Sequence, residues 1–285
     1  MKKRWVLGAL LCLLGLPVVA AVPIKKVIVI GVSHGMGREV ARVFCKKGYK
    51  VGGIARNQVA LQALRDELGE NFSFKIGDIC TNECRNTVKT LISDMGGCDI
   101  FIMNAGIWAD SRPDVSTEVI VQYDWDKLLR DQLTTIETNI AGFTRMASVA
   151  FEHFVNKRQG HFVGISSVDA VRGNPACPVY SGTKAFESTY MQGMRSAFEQ
   201  TGIDITVTDI RPGFIATYDL TDEKSFWVES VEDAGKYIFD AIKNKKKVAY
   251  IKARWGLFAG YLSVAPDIVY NYVATAWGIR SPEGL

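Results

Sequence analysis

Residues 27–37 limit what this chain can fold into more than any other stretch. Val27-Ile28-Val29-Ile30 is an unbroken β-branched run, and Gly31-Val32-Ser33-His34-Gly35-Met36-Gly37 follows it directly. A strand without polar alternation is covered on both faces, as in a parallel sheet held between helical layers. Residues 38–47 then carry helical periodicity. Strand, glycine turn and helix in this order make an anion cradle. Glycines let the backbone approach a pyrophosphate, and the helix N-terminus favours its negative charge. The spacing here, Gly-x3-Gly-x-Gly, departs from G-x-G-x-x-G, so the strand-to-helix context carries the signal. Gly31, Ser33, Gly35, Met36 and Gly37 are the candidate nucleotide contacts. His34 lies in the same loop, either against a phosphate or facing solvent.

The remainder alternates strand and helix. Strand-like runs fall at residues 50–55, 72–76, 100–103, 160–165 and 205–210, and helical ones at 58–68, 82–95, 123–150 and 180–200. This alternation predicts an α/β chain with a Rossmann-like, doubly wound parallel sheet in three α/β/α layers, as a single domain. The end of the second strand bears on nucleotide choice, because an acidic residue there binds the ribose 2′-hydroxyl. This chain has Ala55-Arg56-Asn57 instead. Arg56, joined by Arg38, can pair with a 2′-phosphate, which favours NADP(H) over NAD(H); a surface Arg opening the next helix is the alternative. Asp78 follows the third strand. Asn104-Ala105-Gly106 follows the fourth, a small-residue turn able to lie flat against a nucleotide.

Tyr180-Ser181-Gly182-Thr183-Lys184 places a Tyr and a Lys one helical turn apart. A free phenol titrates near ~10, and a neighbouring ammonium favours its ionised form. A Tyr tuned in this way passes a proton to or from a carbonyl or alcohol oxygen. Alone the pair is common in helices; its weight comes from the motifs around it.

Those motifs together resemble the short-chain dehydrogenase/reductase family over residues 27–247. The match rests on Gly31-x3-Gly35-x-Gly37, Asn104-Ala105-Gly106, Asn139, Ser167, Tyr180-x3-Lys184 and Pro212-Gly213. They stand in the family's order, with 13 residues from Ser167 to Tyr180 and 28 from Asn139 to Ser167. The resemblance implies that Tyr180 is the general acid or base. It implies that Lys184 lowers the Tyr180 pKa and holds the nicotinamide ribose, that Ser167 binds the substrate oxygen, and that Asn139 positions a relay water. It also implies that Asp78 contacts adenine and that Ile215 and Thr217, after Pro212 and Gly213, contact the nicotinamide side. Ile30 and Met103 depart from the family's usual Thr and Asn. Ser166 points to the opposite strand face and is read as structural, and Asp209 and Arg211 have no role beyond the fold.

Composition narrows the partners. The 285 residues are 48% hydrophobic and 22% charged, with a net charge of +4. Basic residues collect at Lys2-Lys3-Arg4 and at Lys243, Lys245, Lys246 and Lys247, without the stripe that nucleic acid requires. Of six cysteines, Cys45, Cys80, Cys84, Cys98 and Cys177 lie in the body without regular spacing, which fits neither a disulfide framework nor a metal site. None of His34, His153 and His161 is read as catalytic. Residues 5–24 carry no charge and read as a signal peptide or an N-terminal membrane anchor preceding a catalytic domain at 25–252. Residues 253–285 form an apolar, aromatic tail that suits a membrane interface, a dimer contact or packing on the sheet, and it resembles those of certain membrane-associated members of the family. Membrane association, a homo-oligomer (dimer or tetramer) and a small apolar carbonyl or alcohol substrate, lipid- or steroid-like, are the expectations. Residues 108–123 are read as shaping the pocket or a partner surface, and residues 218–229 as a short lid. A catalytically silent nucleotide-binding scaffold is the competing reading, and the complete Asn139, Ser167, Tyr180, Lys184 set argues against it. An epimerase or dehydratase would need a larger substrate domain.

Overall fold

The computed structural model describes residues 25–109, 124–175, 177–217 and 227–276. Strand β1 (Lys26–Ile30) runs through the centre, and Val27, Ile28, Val29 and Ile30 are fully buried. It pairs in parallel with β2 (Lys50–Ala55) on one side and β4 (Ile100–Met103) on the other. With β3 (Phe72–Ile76), β5 (Gln159–Ile165), β6 (Asp204–Arg211) and β7 (Val248–Tyr250), the sheet reads β3-β2-β1-β4-β5-β6-β7. Every pairing is parallel.

Side-chain alternation along β1 divides the core in two. Val27 and Val29 pack with Val40 and Phe44 of α1 (Gly35–Lys46), Leu61 and Leu64 of α2 (Gln58–Leu68), and Ile238 and Ile242 of a later helix at Val231–Lys243. Ile28 and Ile30 face the other layer, with Val88 and Leu91 of α3 (Glu83–Asp94) and the rings of Phe143, Phe154 and Phe162. Each such side chain contributes about 1.5–3 kcal/mol by leaving water. Strand order reverses between β1 and β4, so the loops leaving their C-terminal ends diverge and open a crevice there.

The predicted single helix over residues 123–150 is instead three pieces. Helix α4 (Trp125–Ile136) passes through a π-helical turn at Glu137–Gly142 into α5 (Phe143–Lys157). Helix α6 (Pro178–Thr201) opens with proline in its first turn and closes at Gly202, whose φ of 66° is left-handed. After α7 (Val231–Lys243), β7 adds an edge strand that the sequence reading missed, being only three residues long and adjoining a lysine cluster.

The apolar tail folds onto the domain as α8 (Ala253–Val264) and α9 (Asp267–Ala276). Arg172 ties it to the loop after β5: the guanidinium donates to the Leu262 carbonyl at 2.9 Å, pairs with Asp267 and lies 4.2 Å over the Tyr270 ring. The Tyr270 hydroxyl donates to the Gly173 carbonyl at 2.6 Å. Among the described residues no helix is long and apolar enough to cross a membrane. Residues 1–24, most of the predicted pocket segment (110–123), most of the predicted lid (218–226) and residues 277–285 lie outside the described residues.

Candidate active site

The crevice at the β1/β4 reversal is built first from glycines. Gly31, with φ of 81°, ends β1 against the Asn104-Ala105 backbone, and a Cβ there would lie 2.7 Å from the Ala105 nitrogen. At Gly37 a Cβ would overlap the Gly31 carbonyl and lie 2.5 Å from Asn104 Nδ2. Helix α1 begins at Gly35 without a side-chain cap, so its first N–H groups and positive dipole end face the crevice. The Ser33 hydroxyl and His34 Nδ1 are 2.9 Å apart, and His34 is exposed on the turn. Asn104 donates from Nδ2 to the Gly31 carbonyl at 2.8 Å, while its Oδ1 is buried with no hydrogen-bond partner. An uncapped helix end, a glycine cradle and an orphaned buried acceptor fit a dinucleotide in this crevice.

Beyond the crevice the chain brings together the end of β5, the π-turn and the first turns of α6. Asn139, fully buried, accepts from the Ile107 N–H at 2.9 Å and donates to the Ile107 carbonyl at 2.8 Å and the Thr183 hydroxyl at 3.0 Å. The π-turn inserts an extra residue into the helix, a distortion that recurs at functional sites. Ser167, at the exit of β5, accepts from the Asp169 N–H at 3.1 Å, and a hydrogen bond joins its side chain to Tyr180. Gly106 completes the contact with the nucleotide side: a Cβ there would lie 3.1 Å from Lys184 Nζ and 3.3 Å from Asn139 Oδ1. The Trp108 ring stacks on Tyr180 with centroids 5.9 Å apart.

The electrostatics differ from the expectation in one respect. Lys184 is paired with a buried carboxylate. Its ammonium donates to both Glu187 oxygens at 2.9 Å and to the Ile165 carbonyl at 3.0 Å, and lies 5.7 Å from the centre of the Tyr180 ring. The two Glu187 oxygens subtend a narrow angle at the nitrogen and share one ammonium hydrogen, and the Ile165 carbonyl takes a second. Tyr180 is pushed above the ordinary phenol range, by burial first and then by the Asp169 and Glu187 carboxyls, with the Ser167 hydrogen bond opposing. The phenol is held protonated. Asp169, two residues after Ser167, is raised to about 6 by burial, partly offset by Asn174. Neither carboxyl was singled out from the sequence, although Glu187, three residues after Lys184, necessarily shares its helix face.

The other predicted contacts sort by position. Arg56 is exposed at the exit of β2, 74% accessible, with Asp78 at 3.9 Å. Arg38, expected to assist it, is committed to Glu67 at 3.2 Å, which also holds Arg42. Asp78 accepts from the Cys80 N–H at 3.0 Å. The Pro212 carbonyl accepts from the Val168 N–H at 2.9 Å, so this turn braces the loop after Ser167. Ile215 is buried in the core and Thr217 lies beside Gly35, its Cγ2 3.5 Å from where a Cβ would stand. Gly213 serves packing, since a Cβ would overlap the Trp255 ring. Gly213→Ala is expected to cost about 1–3 kcal/mol through that clash, seen as a lowered Tm with the nucleotide crevice intact. Ser166 donates to Asp209, which also receives Ser188 at 2.7 Å and Arg211 Nε at 2.8 Å; this buried network fastens α6 to β6.

Comparison with known proteins agrees with this fold. The family model for short chain dehydrogenases matches residues 25–227. The 3-oxoacyl-[acyl-carrier-protein] reductase FabG of Vibrio cholerae is 29% identical over 198 residues, 69% of this chain and 75% of that protein. The NADP-dependent 3-hydroxy acid dehydrogenase YdfG of Shigella flexneri is 30% identical over 190 residues, 66% of this chain and 72% of its own. A short chain dehydrogenase/reductase from Burkholderia phymatum, solved with NAD, superposes with a TM-score of 0.73 at 15% identity, covering 87% of this chain and 95% of its own.

Proposed function

The chain belongs to the short-chain dehydrogenase family, and on that premise we propose that it is an NADP(H)-preferring reductase or dehydrogenase of small apolar carbonyl compounds or alcohols, with Tyr180 as its proton-transfer group. One observation carries the reading: the Tyr180 phenol, hydrogen-bonded to Ser167, stands beside the Asn139–Lys184 cluster that Gly106 joins to the glycine cradle. A protonated phenol is the acid that carbonyl reduction needs. Tyr180 gives its proton to the developing alkoxide and takes one back in oxidation. The Ser167 hydroxyl holds the substrate oxygen and stabilises the charge that forms there. Asn139 fixes the Ile107 main chain behind the site, and Lys184 supplies the positive charge nearest the phenol. The dinucleotide, cradled by residues 31–37 and 104–106, supplies or accepts the hydride when bound.

Arg56 supports NADP(H). It is the exposed cation at the exit of β2, where a 2′-phosphate of a nucleotide laid across the crevice would fall. Arg56→Asp is expected to weaken NADPH binding about 10–100-fold, the value of one charge-assisted contact, with NADH affinity nearly unchanged. Equal affinities for the two nucleotides in the parent chain would refute the preference.

The substrate reading rests on the walls. Trp108 stacks on Tyr180, and against Gly213 stands a cluster in which Trp255 packs on Trp227 at 4.9 Å and on Phe214 at 5.5 Å. Leu257, Tyr261, Val264 and Ile268 leave an apolar stripe exposed on α8 and α9, which supports membrane association and a substrate that partitions into lipid. Leu257→Glu with Val264→Glu in the full chain is expected to reduce flotation with lipid vesicles; unchanged flotation would remove the tail from this reading. Trp125, Leu129, Leu133 and Ile136 form a second exposed stripe along α4, which supports a homo-oligomer.

A further inference from the structure

Resting on the oxidoreductase reading above, we propose that Glu187 is a positioning residue for Lys184: its buried carboxylate holds the ammonium in place, and nucleotide binding proceeds by drawing the ammonium away from it. The geometry is closed. Glu187 is 1% and Lys184 4% exposed, and both carboxylate oxygens accept at 2.9 Å. The Ile165 carbonyl accepts from the same ammonium at 3.0 Å. Two of the ammonium hydrogens are thus directed inward, and the buried carboxylate charge holds the ammonium there. Glu187 therefore opposes the two functions for which Lys184 is placed.

The surroundings make this hold adjustable. Lys184 and Tyr180 face Glu187 from its own helix. From β6 comes Asp209, a second carboxylate, itself paired with Arg211 at 2.8 Å. Burial and the Asp209 charge push Glu187 up, and Lys184 pulls it down, leaving it at about 7. A proton on Glu187 removes the charge that retains Lys184. Below pH 7 the ammonium is released toward the crevice; above it the grip is complete.

The test uses the full chain, NADPH as probe, and Glu187→Gln, which keeps shape and removes charge. NADPH Kd is read by nucleotide fluorescence from pH 6 to 8.5 in parent and variant. The parent is expected to lose affinity as pH rises through 7, whereas Glu187→Gln binds about tenfold tighter at pH 8 and follows a flatter profile. The nucleotide's own phosphate titration is common to both and cancels in their ratio. In alcohol oxidation the acid limb of kcat/KM for Glu187→Gln should move to lower pH, because a negative charge has left the neighbourhood of Tyr180. Glu187→Asp, which keeps the charge but shortens the reach, should lie between the two and covers the case in which Glu187→Gln fails to fold. Parallel NADPH profiles for parent and variants, with only Tm altered, would make the pair a structural ion bridge and overturn the proposal alone. A folded parent that binds no nucleotide would overturn the oxidoreductase reading, and this inference with it.

Discussion

Tyr180→Phe is expected to lower turnover by roughly 10²–10⁴, the contribution of a positioned acid–base group, while NADPH still binds. The substitution removes one hydroxyl and leaves a ring of the same size under Trp108. Ser167 loses one hydrogen-bond partner but keeps the Asp169 N–H at 3.1 Å. The loss should fall on kcat and kcat/KM alike, because the proton moves only in the transition state. Steady-state kinetics with matched nucleotide titrations decide it: turnover within tenfold of the parent would take Tyr180 out of the mechanism.

Gly37→Ala should have the second largest effect, and a different one. Its Cβ would meet the Gly31 carbonyl and Asn104 Nδ2, two rigid groups that hold the ends of β1 and β4 together. To admit it the loop must open, which breaks the Asn104–Gly31 hydrogen bond and turns the first N–H groups of α1 away from the crevice. The expected result is a loss of about 1–3 kcal/mol in stability and at least a tenfold loss in NADPH affinity. A variant with the parent's Tm and nucleotide affinity would show that the loop has more freedom than its contacts allow.

The fold was legible because its signals are local. The β-branched run at residues 27–30 and the glycines after it can be seen without any tertiary contact, and the strand–helix alternation follows from hydrophobic period. The break of the 123–150 helix was not, since a π-turn at Glu137–Gly142 changes the hydrogen-bond step and leaves periodicity nearly intact. Strand β7 is held by its pairing with β6 rather than by its own three residues. In the site, the family resemblance pointed to Asn139, Ser167, Tyr180 and Lys184, and the fold draws them to one end of β5. Which charge answers which was hidden. Glu187 and Asp169 are ordinary surface residue types, and only burial turns them into strong neighbours of Lys184 and Tyr180. For the same reason the Tyr–Lys spacing could not show that burial, before any neighbouring charge, pushes the phenol up. Arg38 shows this too, since its reach toward a phosphate could not be weighed until Glu67 was found beside it.

The most direct test of the account is a fluorescence titration of the full chain with NADPH and with NADH at pH 7. It predicts saturable NADPH binding, weaker NADH binding, and a loss of the NADPH signal in Gly37→Ala. A folded chain that binds neither nucleotide would contradict it, and would leave the glycine crevice, the Tyr180–Ser167 pair and the Lys184–Glu187 bridge as parts of a scaffold without this chemistry.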